Sequence, residues 1–339
     1  MQQWCWFADA PIRLVFKDPP LSEIVSPVIK ELRDDPSPLA SFTCTFETSC
    51  DLHRSNDATL IHDGPLGAGL SNPGQIFTAP NKEWLVVEGT GSVAVDQLER
   101  LASIRITPDA NPVAAATVAL FAIDAALFAT NQQLLHGAGL ILPSQTGAIL
   151  LFAPSGAGKT TTALALALNG FKILTDDALV LRAGGEQPTV WGLPRPMKVH
   201  WRTAELLPTL KSVIGSTWND EGEQVLTRRE FSQLGATAPA GIPVPVVAVY
   251  LLADRSSGEH RIERASKAEA LLAVAADNIG TSQAGVLPRQ VQKMEAAAEM
   301  LNRVDVARLH VGPDIDTLSP ALIAHSEGKI SSSKIAASG

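Results

Sequence analysis

At 339 residues the chain is long enough for two domains and a sizeable core, and its scarce aromatics beside plentiful Ala, Leu and Val fit an α/β protein. The formal charge of −8, with no lysine- or arginine-rich cluster, argues against nucleic acid or an anionic membrane as main partner. Three cysteines (Cys5, Cys44, Cys50) weigh against a disulfide framework and place the chain in a reducing, cytoplasmic setting.

The start, Met1-Gln-Gln-Trp, has neither the basic n-region nor the apolar run of a signal peptide. Residues 1–110 read as a smaller β-rich α+β domain that would recognise or dock a substrate. Ile12–Phe16 is a predicted strand stopped by Pro19-Pro20, and Leu21–Arg33 a helix that Pro27 shortens or bends. Phe42–Phe46 alternates like a half-buried strand, and Ile76–Thr78, Trp84–Glu88 and Ser92–Val95 add short strands between turn residues. The glycines of Gly64–Gly69 lack the strand–helix context of a dinucleotide site and read as a flexible loop. Cys44, Cys50, His53 and His62 fit no familiar zinc spacing.

Pro112–Ala129 is nearly all apolar, but it is mostly alanine and carries Asp124, so it reads as a buried helix rather than a membrane span. It leads into a second domain over 111–325. There the predicted order is strand 138–142, strand 147–152, a glycine-rich loop, helix 160–169, and strands 171–175, 178–182, 189–191 and 246–252. Helices over Lys267–Asn278 and Val291–Asn302 follow. This alternation predicts a mainly parallel sheet flanked by helices. Residues 203–243, with several Gly, Thr and Pro, read as a mobile, substrate-facing segment, and Ser326–Gly339 as a disordered tail.

The loop itself, Ala153-Pro-Ser-Gly-Ala-Gly-Lys-Thr160, sits between a strand and a helix, the context a phosphate-binding P-loop requires. Its backbone N–H groups and the helix N-terminus converge on one spot. Lys159 supplies a mobile cation for the outer phosphates and the Thr160 hydroxyl suits Mg²⁺. Ala153 stands where the strict pattern has Gly, and a methyl group is tolerable there if the local φ is negative.

Three further features gather around this loop. The apolar strand Phe171-Lys-Ile-Leu-Thr ends in Asp176-Asp177, which puts two carboxylates at a strand's carboxyl end. One could hold Mg²⁺ and the other accept a proton from an attacking hydroxyl; a plain Asp-Asp turn is the bland alternative. His136-Gly137 precedes the strand before the loop, and a lone histidine is more often structural than catalytic. In Gly192-Leu-Pro-Arg-Pro-Met-Lys198 two prolines stiffen a turn and fix Arg195 at a defined angle, suited to a phosphoryl oxygen or a carboxylate.

His136-Gly, the P-loop, a helix ending Asn-Gly-Phe and Leu-Thr-Asp-Asp together resemble the kinase domain of HPr kinase/phosphorylase. The closer resemblance is to HPr-kinase-related proteins, including those that phosphorylate precursor peptides in lasso-peptide gene clusters. It is specific over His136–Lys198 and weaker through Asn278. It implies a P-loop kinase domain and an ATP- and Mg²⁺-dependent transfer to a serine or threonine of a peptide or small protein. Ser155, Gly156, Ala157, Gly158, Lys159, Thr160 and Thr161 would hold the nucleotide, and Thr160 with Asp176 the metal. Asp176 and Asp177 would divide the metal-ligand and base roles, with His136 beside them and Arg195 or Lys198 neutralising the transferring phosphoryl group. Members of the family often form rings or smaller assemblies, so a homo-oligomer is also implied. The bifunctional members carry a Glu-Ile-Arg-Gly-type signature where this chain has Trp191-Gly-Leu-Pro-Arg-Pro196, so phosphate removal is not expected.

Two other readings use the same loop. A small-molecule kinase would carry an arginine-rich lid, for which Arg228-Arg229 is the only hint. A nucleotide-binding module without transfer is the other, although the chain has no Leu-Ser-Gly-Gly-Gln or Asn-Lys-x-Asp signature.

Overall fold

A computed structural model describes residues 1–53, 57–66, 73–279 and 287–326. The chain divides into two compact units, Met1–Leu134 with Ile279–Lys293, and Leu135–Asn278 with Met294–Gly339.

The first unit is built on an eight-stranded sheet: β1 (Gln2–Phe7), β2 (Ala10–Phe16), β3 (Phe42–Thr48), β4 (Thr59–Gly64), β5 (Gly74–Ala79), β6 (Lys82–Val87), β7 (Gly91–Asp96) and β8 (Leu101–Ile106). The strand order is β1-β2-β3-β8-β7-β6-β5-β4. Along β2, Ala10, Ile12, Leu14 and Phe16 are buried and the residues between them are not, the period of two that a one-sided sheet imposes. Helix α1 (Ser22–Ile29), with Pro27 inside it, lies in the crossover between β2 and β3, which run parallel. Phe16 and Phe46 stack across that pair with ring centroids 4.9 Å apart.

Helix α2 (Pro112–Ala129) starts where the Asn111 side chain accepts hydrogen bonds from the backbone N–H groups of Val113 and Ala114, with Pro112 in the first turn. Among the described residues it is the one helix long and apolar enough to cross a membrane, and half of it is buried in the fold. It packs on β7 and β8, with Val118, Ala122, Ile123 and Leu127 inside. The boundary expected at residue 110 therefore falls later, after Leu134, because the sheet of the first unit covers this helix. Asp124 is answered from the same unit: its carboxylate lies 3.5 Å from Arg289 Nε and 3.6 Å from Lys293 Nζ. Arg289 also reaches Glu83, 3.4 Å away, and lies over the Phe121 ring. Burial raises the pKa of Glu83, against the opposing pull of Arg289.

After α2 the chain forms β9 (Gln133–His136), β10 (Ala138–Ile141), β11 (Ala148–Phe152), β12 (Lys172–Thr175), β13 (Ala178–Arg182), β14 (Thr189–Gly192), β15 (Met197–His200), β16 (Glu223–Leu226), β17 (Val244–Leu252), β18 (Arg261–Arg264) and β19 (Asp305–His310), all in the second unit save the first two residues of β9. The main sheet runs β12-β10-β11-β17-β14-β13-β9, with β19 also on β17 and β18 on β19. It is mixed, which corrects the expectation of a mainly parallel sheet. In this sheet β11–β17 and β17–β19 are parallel, whereas β10–β11, β10–β12, β13–β14, β14–β17 and β18–β19 are antiparallel. The reason is local. β10–β11 and β13–β14 are joined by short turns, and short turns only connect antiparallel neighbours.

Every residue of β11 is buried, because both faces of the sheet are covered. Ile149 and Leu151 belong to a core with Leu164 and Leu166 of α3 (Lys159–Leu168). Leu150 and Phe152 belong to the opposite core, with Val274 of α6 (Lys267–Asn278) and Met300 and Leu301 of α7 (Pro288–Arg303). Between α3 and α6 lie the short helices α4 (Trp201–Leu206) and α5 (Arg228–Ser232); a reciprocal cap between Thr227 and Glu230 starts α5. The stretch 203–243, expected to be mobile, contributes Leu207, Leu210, Leu226 and Phe231 to the α3-side core. A last helix, α8 (318–326), buries Leu318 and Leu322. Ser326 of the expected tail is in this helix and bonded to the Tyr250 hydroxyl, 2.7 Å away. Residues 327–339 of that tail and 67–69 of the glycine-rich loop lie outside the described residues.

Candidate active site

The glycine-rich loop follows β11 directly. Pro154, Ser155, Gly156 and Ala157 are exposed, and Ala157 N–H closes a turn on the Pro154 carbonyl at 3.1 Å. Gly156 and Gly158 take φ of +80° and +93°, the left-handed region in which a Cβ is strained, although there is open space around both. Gly158 is the residue on which α3 starts, so the turn and the first free N–H groups of the helix share one place.

Lys159 and Thr160 both turn to the acidic pair. Lys159 Nζ donates to the Asp176 carbonyl at 2.7 Å, and Thr160 Oγ1 donates to Asp176 Oδ2 at 3.2 Å. Burial lowers the pKa of Lys159, while the charges of Asp177, Asp176 and Asp277 oppose that shift. Thr161, expected at the nucleotide, is hydrogen-bonded to Thr203 of α4 at 2.8 Å.

The two aspartates are driven apart electrostatically. Asp176 is 5% exposed, and burial, then the neighbouring Asp177 charge, push its pKa up to about 6. Burial would raise Asp177 as well, but a hydrogen bond from His136 and the charges of Arg195, His136 and Lys159 prevail and hold it at about 2. His136 Nδ1 lies 2.6 Å from Asp177 Oδ1, and Arg195 Nη1 lies 2.7 Å from Asp177 Oδ2. Asp177 is thus an ionised carboxylate gripped at both oxygens, with a third of its side chain exposed.

Neighbouring elements hold this geometry from behind. Gly137 N–H donates to the Asp177 carbonyl at 3.1 Å. Arg195 follows β14 through a tight turn, its N–H on the Leu193 carbonyl at 2.8 Å, as the flanking prolines predict. Arg228 is buried and donates to the carbonyls of Leu174 and Ala238, at 2.8 and 2.6 Å, so it braces the strand that leads into Asp176. Gly192 allows β14 to approach the same strand: a Cβ there would sit 2.2 Å from the Leu174 carbonyl oxygen. Gly192→Ala is therefore expected to cost about 2–3 kcal/mol, read as a lower urea midpoint with an unchanged slope. An unchanged midpoint would show that this approach is not rigid.

Lys198 is not brought to the site. It points its ammonium at Glu223 on the small β15–β16 sheet, 3.4 Å away and well exposed. Only two residues separate it from the turn that carries Arg195, but β15 begins between them and takes it elsewhere. A cavity of about 580 Å³ opens beside α4, lined by Trp201, Trp218, Ile214, Ala204, Glu205 and Lys211. It falls in the stretch expected to face the substrate.

As a metal site, Thr160 and Asp176 offer two converging oxygens. That suits Mg²⁺, which takes few protein ligands and completes its shell with phosphate and water. A buried carboxylate with a raised pKa is also one that a cation would relieve. Among the described residues no group of three or more His, Cys, Asp or Glu is arranged as a metal cage.

Asn278 joins the site from outside every motif in the sequence. Its side chain takes both backbone groups of His136, accepting from N–H at 2.5 Å and donating to the carbonyl at 3.3 Å. Its only sequence signal is a polar residue at the last position of a predicted helix. Compared with known proteins, the chain matches no family model and no curated protein. Its function is read from its own residues.

Proposed function

We propose that the chain is an ATP- and Mg²⁺-dependent kinase that moves the γ-phosphoryl group to a serine or threonine hydroxyl of a peptide or small protein in the cytoplasm. One observation carries the reading: the lysine and threonine of the glycine-rich loop meet an adjacent pair of aspartates, of which Asp176 is buried and Asp177 is gripped by His136 and Arg195. Divergent carboxylates in one site are the mark of divided roles.

In this reading the loop N–H groups and Lys159 bind the phosphates. Thr160 and Asp176 would hold Mg²⁺, which when bound neutralises charge on the outer phosphates. Asp177 accepts the hydrogen bond of the acceptor hydroxyl, orients its oxygen toward the γ-phosphorus and takes the proton as the new O–P bond forms and the β–γ bridge breaks. His136 fixes the carboxylate and Arg195 offers positive charge beside it. The resemblance noted in the sequence points to precursor peptides as the acceptor class.

A small-molecule kinase is less well supported, because Arg228, half of the expected lid, is tied to two main-chain carbonyls. Incubation with γ-labelled ATP, Mg²⁺ and serine-containing peptides tests the proposal. Label on serine is the expected result; nucleotide binding with no label on any peptide or protein would overturn it in favour of a binding module.

A further inference from the structure

The His136–Asp177 pair depends on where one strand ends. His136 closes β9, which stands at the end of the strand order, so among the described residues no further strand beyond it supplies main-chain partners. The Asn278 carboxamide does so instead. It presents one acceptor and one donor, the same pair a peptide unit offers, and satisfies both the N–H and the carbonyl of His136. Its Nδ2 also donates to the Val274 carbonyl at 2.9 Å, one turn back in α6, so the amide is fixed to its own helix. That helix is seated by buried Ala270 and Val274.

We propose that Asn278 is a positioning residue: through the His136 main chain it aims the imidazole at Asp177. The effect on turnover rests on the kinase reading, but the geometry does not. Nδ1 of the ring stands 2.6 Å from Asp177 Oδ1, the distance at which an Nδ1–H donates to a carboxylate oxygen. Without the amide, β9 frays at its last residue and the ring is no longer held to that donor geometry. A displacement of about 1 Å in such a group costs up to 10²-fold in rate.

The test uses the full chain with ¹⁵N-labelled histidine, the His136 signals being assigned by their loss in His136→Ala. In the unaltered protein the ring shows a protonated Nδ1 with a slowly exchanging proton. In Asn278→Ala that proton should exchange fast and the signature of a bonded Nδ1–H should be lost, with kcat down about 10- to 100-fold and nucleotide affinity unchanged. Asn278→Asp keeps an acceptor for the His136 N–H and loses the donor, so it should fall between the two; should the alanine variant not fold, the aspartate variant is read the same way. Unaltered ring signals in both variants would overturn the proposal, as would a kcat loss matched by an equal loss of nucleotide affinity. If the unaltered protein transfers no phosphate at all, the kinase reading fails, while the ring signals still decide the role of Asn278.

Discussion

Asp177→Asn is expected to lower kcat by about 10²–10⁴-fold while nucleotide affinity stays within the same order of magnitude. The amide keeps the size of the side chain and can still bond to Arg195 or His136, but it cannot take a proton from a hydroxyl. The fold should tolerate it. Asp177, His136 and Arg195 are all partly exposed, and ion pairs of that kind contribute about 1 kcal/mol or less. The checks are single-turnover transfer from γ-labelled ATP and calorimetric nucleotide binding, run on the same preparation. Turnover close to that of the unaltered chain would remove Asp177 from the chemistry.

Asp176→Asn should have the opposite profile, abolishing Mg²⁺-dependent nucleotide binding while making the free protein more stable. The folded chain raises this carboxyl from 3.8 to about 6, so it disfavours the ionised form. The sign follows from linkage. Below about pH 4 the group is protonated in both states and carries no penalty; the penalty grows as pH rises toward 6 and is complete above it. Removing the charge should therefore raise stability by up to about 3 kcal/mol at pH 8 and by almost nothing at pH 4. Melting curves of both proteins across that range, without nucleotide or metal, measure the difference. A gain that does not depend on pH would mean that Asp176 is not held as a reluctant anion. By the same logic, the affinity of the unaltered chain for Mg²⁺–nucleotide should drop as pH falls through about 6, because the proton competes for the metal's oxygen.

The site was legible in the sequence because its parts are short and contiguous. A loop between a strand and a helix, and an acidic pair at a strand end, keep their meaning in any fold that holds them. Helix α6 was legible to the residue, as Lys267–Asn278, since it is an unbroken run of good helix formers, rich in Ala and Leu and free of Gly and Pro. Strand direction was not. Whether β10 and β14 run with or against their neighbours depends on partners far away in the chain, which periodicity does not encode. β19 escaped notice because Asp305-Val-Ala-Arg-Leu-His is short and interrupted by Arg308, although it pairs with the central β17. Lys198 and Arg195 looked equivalent as neighbouring cations, and only the start of β15 between them separates their fates. Asn278 was hidden for a different reason: its work is done on the main chain of a residue 142 positions away.

The first unit takes its final piece, Ile279–Lys293, from a part of the chain that follows most of the second. No single cleavage point can therefore yield either unit whole. A truncation beginning at residue 135 would retain Arg289 and Lys293 but discard Glu83 and Asp124, stranding two cations made for burial. A truncation ending at residue 134 would bare the same two carboxylates. Dissecting this protein calls for a circular permutant or a spliced gene in which 279–293 is rejoined to 1–134, and a shortened fragment that aggregates would report on its orphaned charges rather than on catalysis.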